Sequence, residues 1–549
     1  MRTRSYKDFG ETEKPDAAGL DTKLLRCVTR AKLVRRKTLA LYSENEAAFC
    51  KRMSPQLFDR AINIKLQLGF EKLENKANFL AVIDNSKFFK ECDRQSSNSV
   101  IDCADLFIPD FTRIKPIDDR SQWSGNEEFM LTLTDGLGKR SFAYCIKYLR
   151  QKSEENVDEA TTSTEGFLPE VFAIISPIHA PPFYSALVRE CINYIDKGTD
   201  TLKNFLDAVF HRPFPSKGSV LCLVENSGSV TKRQFVIRSQ GPSFGRADSS
   251  FVIKRIGIEV SVSIIAALLS EQKVLIGGES VKSVSHAVQT FAALLQPFSW
   301  PYTLVPVLPD TLLELANSPT PCLLGVLRTN LHKLKELLVG TRKSESDDLL
   351  KNDVVIVDLD GGIFVPHPSE LSVVTENPDF MEKSALALCE RLLLPKKLAG
   401  TLISSFKEAL AGGPGPKADE MLQKAMLVWF ATLLGHYKTF NLPHAYLADI
   451  REDSSELRTA LAQYILAHPS KTSRRFIEWF IETGLFRDWL RRKAAGQDGK
   501  SAENWEDAAN QKFDELAQTL SVTYNQGRIA NIFSRASSAL FRSHLRKRF

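Results

Sequence analysis

Between Glu271 and Gly325 the chain reads strand, helix, strand, and no other stretch restricts the fold as tightly. Lys273–Ile276 is a short apolar run halted by Gly277-Gly278, as a buried strand meeting a turn would be. Ser280 is placed to cap a helix in which Val281, Val284, Val288, Phe291 and Leu295 recur at three- and four-residue spacing. Pro297 ends that helix, because proline removes a backbone donor and disfavours helix in the residue before it. Thr303–Val307 is a second run rich in β-branched residues, closed by Pro306 and Pro309. Strand, helix and strand with short joints make a βαβ unit, which predicts two parallel strands and an α/β core.

The flanks predict further elements. Phe58–Leu68 alternates as a first strand. Phe129, Leu131 and Leu133 alternate with polar or smaller neighbours, Asp135-Gly136 follows, and Phe142, Tyr144, Ile146 and Tyr148 alternate in turn. Two such runs about a DG turn predict a hairpin. Glu170–Ser176 predicts a buried strand, followed by a helix from Pro181 to about Ile195. Antiparallel strands with a packing helix form an α/β sandwich. Val354–Asp360 reads as another buried parallel strand ending in two acids, with Gly361-Gly362 after it. Beyond Ala411-Gly-Gly-Pro-Gly-Pro416, read as a flexible break, helical periods cover Met421–Tyr437, Ser454–His468 and Ser473–Arg492. Phe476, Phe480, Leu485, Phe486 and Trp489 form an aromatic stripe there, expected to be core.

These residues also carry a resemblance. Glu271-Gln-Lys-Val-Leu, Leu294-Leu-Gln-Pro-Phe-Ser-Trp300, Tyr302 through Pro309 and Ser318-Pro-Thr-Pro-Cys-Leu-Leu-Gly325 occur in the order of the central segment of DENN-domain proteins. Phe142-Ala-Tyr-Cys145 and Leu168-Pro-Glu-Val-Phe172 resemble the upstream segment; Gly435-His-Tyr-Lys438 and Phe476–Phe486 resemble the downstream one. The order of pieces is most similar to the type-2 subgroup. Gly484-Leu485 stands where that family usually has Gln-Met, a departure expected to alter packing. The resemblance implies a bilobal, tripartite α/β fold: a longin-like N-terminal α/β lobe, then a lobe with a parallel α/β sheet and a helical extension. On this division residues 1–53 are a disordered or basic helical start and 54–204 the upstream lobe. Residues 205–218 are a linker, 219–366 the central segment, 367–520 the helical downstream segment and 521–549 a basic amphipathic tail.

The resemblance implies guanine-nucleotide exchange on a Rab-family small GTPase in membrane trafficking. The alternative is a scaffold or effector that keeps the architecture and binds a Rab without exchange. A GTPase-activating role would need a singled-out arginine, and none stands out. The residues argue against covalent catalysis: there is no GxxxxGK[ST], no GxGxxG after a strand and no GxSxG elbow. The nine histidines form no HxxxH or HExxH pair and the nine cysteines no CxxC, so neither metal nor cofactor is expected. Cys145, Cys191, Cys222 and Cys389 lie in apolar patterns and read as buried free thiols.

An exchange factor acts by contact alone, and two lobes joined by a hinge near 205–218 would offer a concave surface for it. The partner-binding candidates are Asp358, Asp360 and Gly361, because ligands of parallel sheets collect outside the carboxyl ends of the strands. Asp358 and Asp360, two apart on a strand, are expected to point the same way, which allows a carboxylate pair; the other reading is that they solvate a strand end or cap a turn. In the tail, Ile529, Phe533, Ala536 and Leu540 share a helical face with Arg528, Arg535, Arg542, Arg546, Lys547 and Arg548 around it. Such a helix lies on an anionic membrane; the other reading is a frayed cationic tail or a helix docked on the domain. The basic stretch from Thr22 to Met53 reads either as a solvated basic helix packed on the domain or as a membrane-surface or regulatory segment. A net charge of +6 is too mild to argue for nucleic acid. No apolar run reaches the roughly 18 residues a bilayer span needs, and MRTRSYKDFG lacks a secretory apolar region. A cytoplasmic protein is expected, with peripheral association to endosomal or Golgi-derived membranes.

Overall fold

The computed structural model describes residues 57–525, apart from 69–72, 82–89, 93–103, 111–113, 135–139, 150–166, 216–219, 228–229, 239–247, 341–353, 361–363, 366–384, 453–455, 496–504 and a few single positions. The first lobe is one antiparallel sheet. Its strands are β1 (Arg60–Leu68), β2 (Leu73–Ala81), β3 (Lys90–Cys92), β4 (Glu127–Thr134), β5 (Arg140–Leu149) and β6 (Pro169–Ser176), in the order β3-β2-β1-β6-β5-β4. The predicted hairpin is β4–β5, in register from Glu127–Lys147 to Thr134–Arg140; its turn lies outside the described residues. Helices α1 (Pro181–Ile195) and α2 (Thr199–Phe210) follow.

Alternation along these strands sends side chains to two faces, and both are covered. Met130, Phe142, Tyr144, Ile146, Tyr148, Phe172 and Ile174 form a core with α1 and α2. Phe129, Leu131, Ala143, Cys145, Val171, Ala173 and Ile175 belong to a second cluster that runs without a break into the next lobe. Two expectations are corrected here. Residues 205–210 are not linker but the last turns of α2, whose Phe205, Leu206, Val209 and Phe210 are buried. The lobes are not separate bodies on a hinge near 205–218 either, since they share an apolar core.

A two-stranded ribbon, β7 (Val220–Ser227) with β8 (Val230–Arg238), comes next; its Leu221 is buried in the first lobe's core. Then come α3 (Ser249–Ile256) and α4 (Ile258–Leu269), β9 (Lys273–Gly278), α5 (Val281–Leu294), β10 (Thr303–Leu308), β11 (Cys322–Leu327), α6 (Arg328–Gly340), β12 (Val354–Asp358) and β13 (Phe364–Val365). The sheet order is β10-β11-β9-β12-β13, parallel throughout except β13. The predicted strand, helix and strand are β9, α5 and β10. They are parallel members of one sheet, but β11 inserts between them. Ser280 caps α5 as expected, its hydroxyl accepting from the Ser283 N–H at 3.0 Å. Val281, Val284, Val288, Phe291 and Leu295 are all buried.

This sheet is also covered on both sides, which explains why its strands read as unbroken apolar runs. Val274, Ile276, Leu323, Val355 and Val357 join the shared core, while Leu275, Leu324, Val326 and Ile356 pack with Leu331 and Leu334 of α6. Gly325 is required at the joint of β10 and β11. The register shifts between Val305 and Leu308, and the Pro306 carbonyl fills the space a Cβ would need.

Helices α7 (Lys396–Leu410), α8 (Pro416–Leu434), α9 (Leu442–Glu452), α10 (Glu456–Ala467), α11 (Lys471–Phe480), α12 (Gly484–Ala494) and α13 (Trp505–Asn525) complete the chain. Phe298, just past α5, inserts among Phe430, Phe480 and Trp489, with ring centroids 4.9, 5.3 and 5.4 Å away, and so fastens this extension to the sheet. The aromatic stripe is core, as expected. The period predicted as one helix over Ser473–Arg492 is two, because Thr483 caps α12 by accepting from the Phe486 N–H at 3.2 Å. The turn before α8 is fixed rather than flexible: the Gly415 N–H donates to Ser250 Oγ at 2.9 Å, and the Asp419 carboxylate accepts the N–H groups of Asp248 and Ser250 at 3.0 and 2.7 Å. Cys145, Cys191 and Cys389 are buried free thiols, and so is Cys322; the side chain of Cys222 lies outside the described residues.

Candidate functional site

The carboxyl edge of the parallel sheet gathers side chains from four elements. Strand β12 ends at Asp358, and Leu359 extends its pairing by donating its N–H to the Gly277 carbonyl at 2.8 Å. Asp360 therefore sits in a turn, not on the strand, and of the two readings it is strand-end and turn capping, not a carboxylate pair, that the contacts fit. Asp358 is buried, with only 1% of its side chain exposed, and its Oδ2 lies 3.1 Å from the Arg328 guanidinium at the start of α6. Its other oxygen accepts the Asp360 N–H at 3.1 Å. Asp360 is held separately, by Arg255 at the end of α3 and by the Glu279 N–H, which donates to it at 2.6 Å. Arg328 also reaches Glu279 at 3.0 Å, and these two side chains are 40% and 66% exposed. The two acids are thus tie points, while the exposed charges belong to Glu279, Arg255 and Arg328. Gly361 lies outside the described residues, as do Arg528, Arg535, Arg542, Arg546, Lys547 and Arg548.

The amino end of α5 opens on the same edge, and two of its free N–H groups are already used. Ser280 takes that of Ser283, and Glu127 of β4 takes that of Lys282 at 2.9 Å. A carboxylate at a helix N-terminus is favoured by the aligned peptide dipoles, so the place a phosphate would occupy is filled from within the chain. Glu127 also pairs with Lys147 at 2.8 Å, and Lys147 with Asp110 at 2.7 Å. Burial pushes the Lys147 ammonium down, but the two carboxylates outweigh it and leave its pKa above the ordinary lysine value. This is the electrostatic part of the seam between the lobes.

Further along α5 the seam continues with neutral groups. Ser285 bonds both backbone groups of Met130, and Gln289 Nε2 donates to Thr132 Oγ1 at 2.8 Å. Arg140 donates to the carbonyls of Trp300 and Tyr302 beyond the helix. A cleft of about 20 Å³ remains between Thr132, Arg140, His179, Gln289 and Ser299. That is room for a water, not for a nucleotide. No group of acids, histidines and cysteines among the described residues could hold a metal ion. Among the same residues no helix is long and apolar enough to cross a membrane. What this edge can do chemically is meet another macromolecule through charges held in place by buried partners.

Fold and edge together define a two-lobed α/β protein with a helical extension. The family model of the DENN (AEX-3) domain matches residues 167–362, from just before β6 to just past Asp360. Over that stretch the chain is similar to DENN-domain proteins. It is 26% identical to DENN domain-containing protein 2A of Mus musculus over 378 residues, which is 68% of this chain and 34% of that one. The Homo sapiens 2A protein gives 26% over 381 residues, with the same shares. The Mus musculus 2D protein gives 25% over 396 residues, 70% of this chain and 73% of the relative. The match thus spans about a third of the length of the 2A relatives.

Proposed function

We propose that the chain is a guanine-nucleotide exchange factor for a Rab-family small GTPase in membrane trafficking. The observation that carries this reading is the DENN match over residues 167–362, which contains the parallel sheet and its charged carboxyl edge. Exchange needs no bond to be made or broken. It needs a surface that binds the emptied GTPase more tightly than the loaded one, since equal affinity for both shifts nothing. Holding the switch loops open prevents the γ-phosphate and Mg²⁺ contacts that order them. A seam with a shared core supports a preformed surface, so binding energy is not spent on ordering two loose lobes.

On this reading the partner meets the edge at Asp358–Gly361. The two acids act by holding Arg328 and Arg255 in place, and the exposed ends of Arg328, Arg255 and Glu279 make the contact. The protein works at the cytoplasmic face of endosomal or Golgi-derived membranes, and the basic tail carrying Arg528, Arg535, Arg542, Arg546, Lys547 and Arg548 adds contact with anionic lipid. A panel of Rab proteins loaded with fluorescent GDP tests the main reading. Faster GDP release from one member supports exchange. Tight binding without release makes the chain a scaffold or effector, and faster GTP hydrolysis makes it an activating protein. The tail is tested apart: a chain lacking 526–549 that binds anionic liposomes as well as the whole chain removes the lipid contact.

A further inference from the structure

Among the described residues, helix α3 is the one element at the carboxyl edge with a large apolar side chain standing in solvent. Phe251 is 52% exposed, and among the described residues only Leu466 is another large hydrophobic in that position. The rest of α3 is ordinary: Val252, Ile253 and Ile256 face the core, and Lys254 and Arg255 face out with Phe251. Two contacts fix where α3 lies. Asp248, just before it, is 3.5 Å from His286 of α5, and Arg255, at its end, is bound to Asp360. Phe251 lies between these two anchors, so it is presented at the edge, not on a remote face.

The charges around it differ in one respect. Arg255, Arg328, Glu279 and Asp360 are tied to one another. Lys254, one turn along from Phe251, and Lys282, one turn before His286 on α5, are both exposed, and among the described residues neither ammonium is in an ion pair. An apolar knob with one exposed cation a turn away on its own helix, and a second on the helix to which α3 is anchored, fits an apolar depression with an acidic rim. A lipid surface is the poorer fit, because the exposed carboxylates of Asp248 and Glu279 stand in the same patch and would face an anionic leaflet.

We infer that Phe251, Lys254 and Lys282 form the anchor of the GTPase-binding surface, with Phe251 seated in an acid-rimmed apolar depression of the small GTPase. This rests on the exchange reading above and names the residues that reading leaves open. The test uses the full chain and whichever Rab loses fluorescent GDP fastest to it. Phe251→Ala and the pair Lys254→Glu with Lys282→Glu are compared with Leu466→Ala. Because all four side chains are exposed, each variant is expected to melt with the unaltered chain.

The expected result is a loss of roughly tenfold or more in exchange rate for Phe251→Ala and for the charge reversal, with Leu466→Ala unchanged. Binding to vesicles of phosphatidylcholine and phosphatidylserine is expected to stay the same in all of them. Unchanged exchange in Phe251→Ala overturns the surface and leaves the exchange reading standing. Lost vesicle binding with unchanged exchange overturns it too, and assigns the patch to lipid. If the unaltered chain releases GDP from no Rab, the exchange reading falls and takes this surface with it.

Discussion

The hydroxyl of Ser285 on α5 accepts the Met130 N–H at 3.1 Å and donates to the Met130 carbonyl at 2.6 Å. One helical side chain therefore does for β4 what a neighbouring strand would do. Strand β4 is the end of its sheet, and the unpaired backbone groups of an edge are a template for unwanted pairing. Here the edge is closed by the helix that also crosses over between β9 and β10, so protecting one sheet and joining it to the other are a single act.

Ser285→Ala leaves both Met130 groups buried without a partner. The expected cost is about 1–3 kcal/mol, read from denaturant unfolding at neutral pH. Ser285→Thr, which keeps the hydroxyl, should recover part of it. A cost below a few tenths of a kcal/mol for the alanine variant would mean that the bond contributes nothing to the seam.

Arg328 neutralises a buried carboxylate, so removing it should be worse than removing both partners. Arg328→Ala leaves Asp358 charged and buried, at an expected cost of about 3 kcal/mol. In the double variant Arg328→Ala with Asp358→Asn, most of that loss should return. The same pair separates stability from binding: if exchange stays low in the double variant after stability has returned, Arg328 acts in the partner contact itself.

Gly484 has no room for a side chain, because the Tyr302 hydroxyl occupies the place a Cβ would take. The Glu271 carboxylate lies beside both: it accepts the Leu485 N–H at 2.7 Å, and burial, with this carboxylate adding to it, pushes the Tyr302 hydroxyl above its usual pKa. Gly484→Ala is expected to lower stability by about 1–3 kcal/mol through overpacking. Adding Tyr302→Phe, which shortens the opposing side chain by its oxygen, should restore much of the loss. If it does not, the crowding at this joint is not what requires glycine there.

Much of this fold could be read from residue order, and the reason is local. The periods of Val281–Leu295, Pro181–Ile195, the β4–β5 hairpin and Val354–Asp358 are each set by neighbours within a few positions. Elements whose sequence is mixed escaped. Strand β8, VTKRQFVIR, carries four consecutive polar residues, and the second half of α2 reads as linker because His211-Arg-Pro-Phe-Pro215 follows it. The site divides the same way. Asp358 and Asp360 stand out as acids at the end of an apolar run, but their arginine partners lie 30 and 105 residues away, and Ser285 is 155 residues from Met130. Contacts over such separations leave no periodic trace. The departure at Gly484-Leu485 from the family's Gln-Met is visible in the sequence, but the tyrosine that crowds Gly484, 182 residues earlier, is not.

A last prediction concerns acid. His436 is buried and stacked on Tyr464 at 4.3 Å, and His468 lies 5.6 Å from it. Burial holds both rings at a pKa of about 4, against the carbonyl of Tyr464 that pulls His436 the other way; His468 is lowered further by His436 and Arg474. In the unfolded chain both return to the ordinary value near 6.5, so between about pH 6.5 and 4 the unfolded state binds more protons than the folded one. Stability contributed by the neutral pair is complete above that window and is lost as pH falls through it. The loss should approach about 3 kcal/mol for one histidine by pH 4, taking 1.36 kcal/mol for each pKa unit. Unfolding free energies of the whole chain and of His468→Asn across this range measure it. The variant should show a shallower slope, because one of the two groups that take up protons on unfolding is gone. Equal slopes would mean that the buried rings do not control the acid sensitivity of the helical extension.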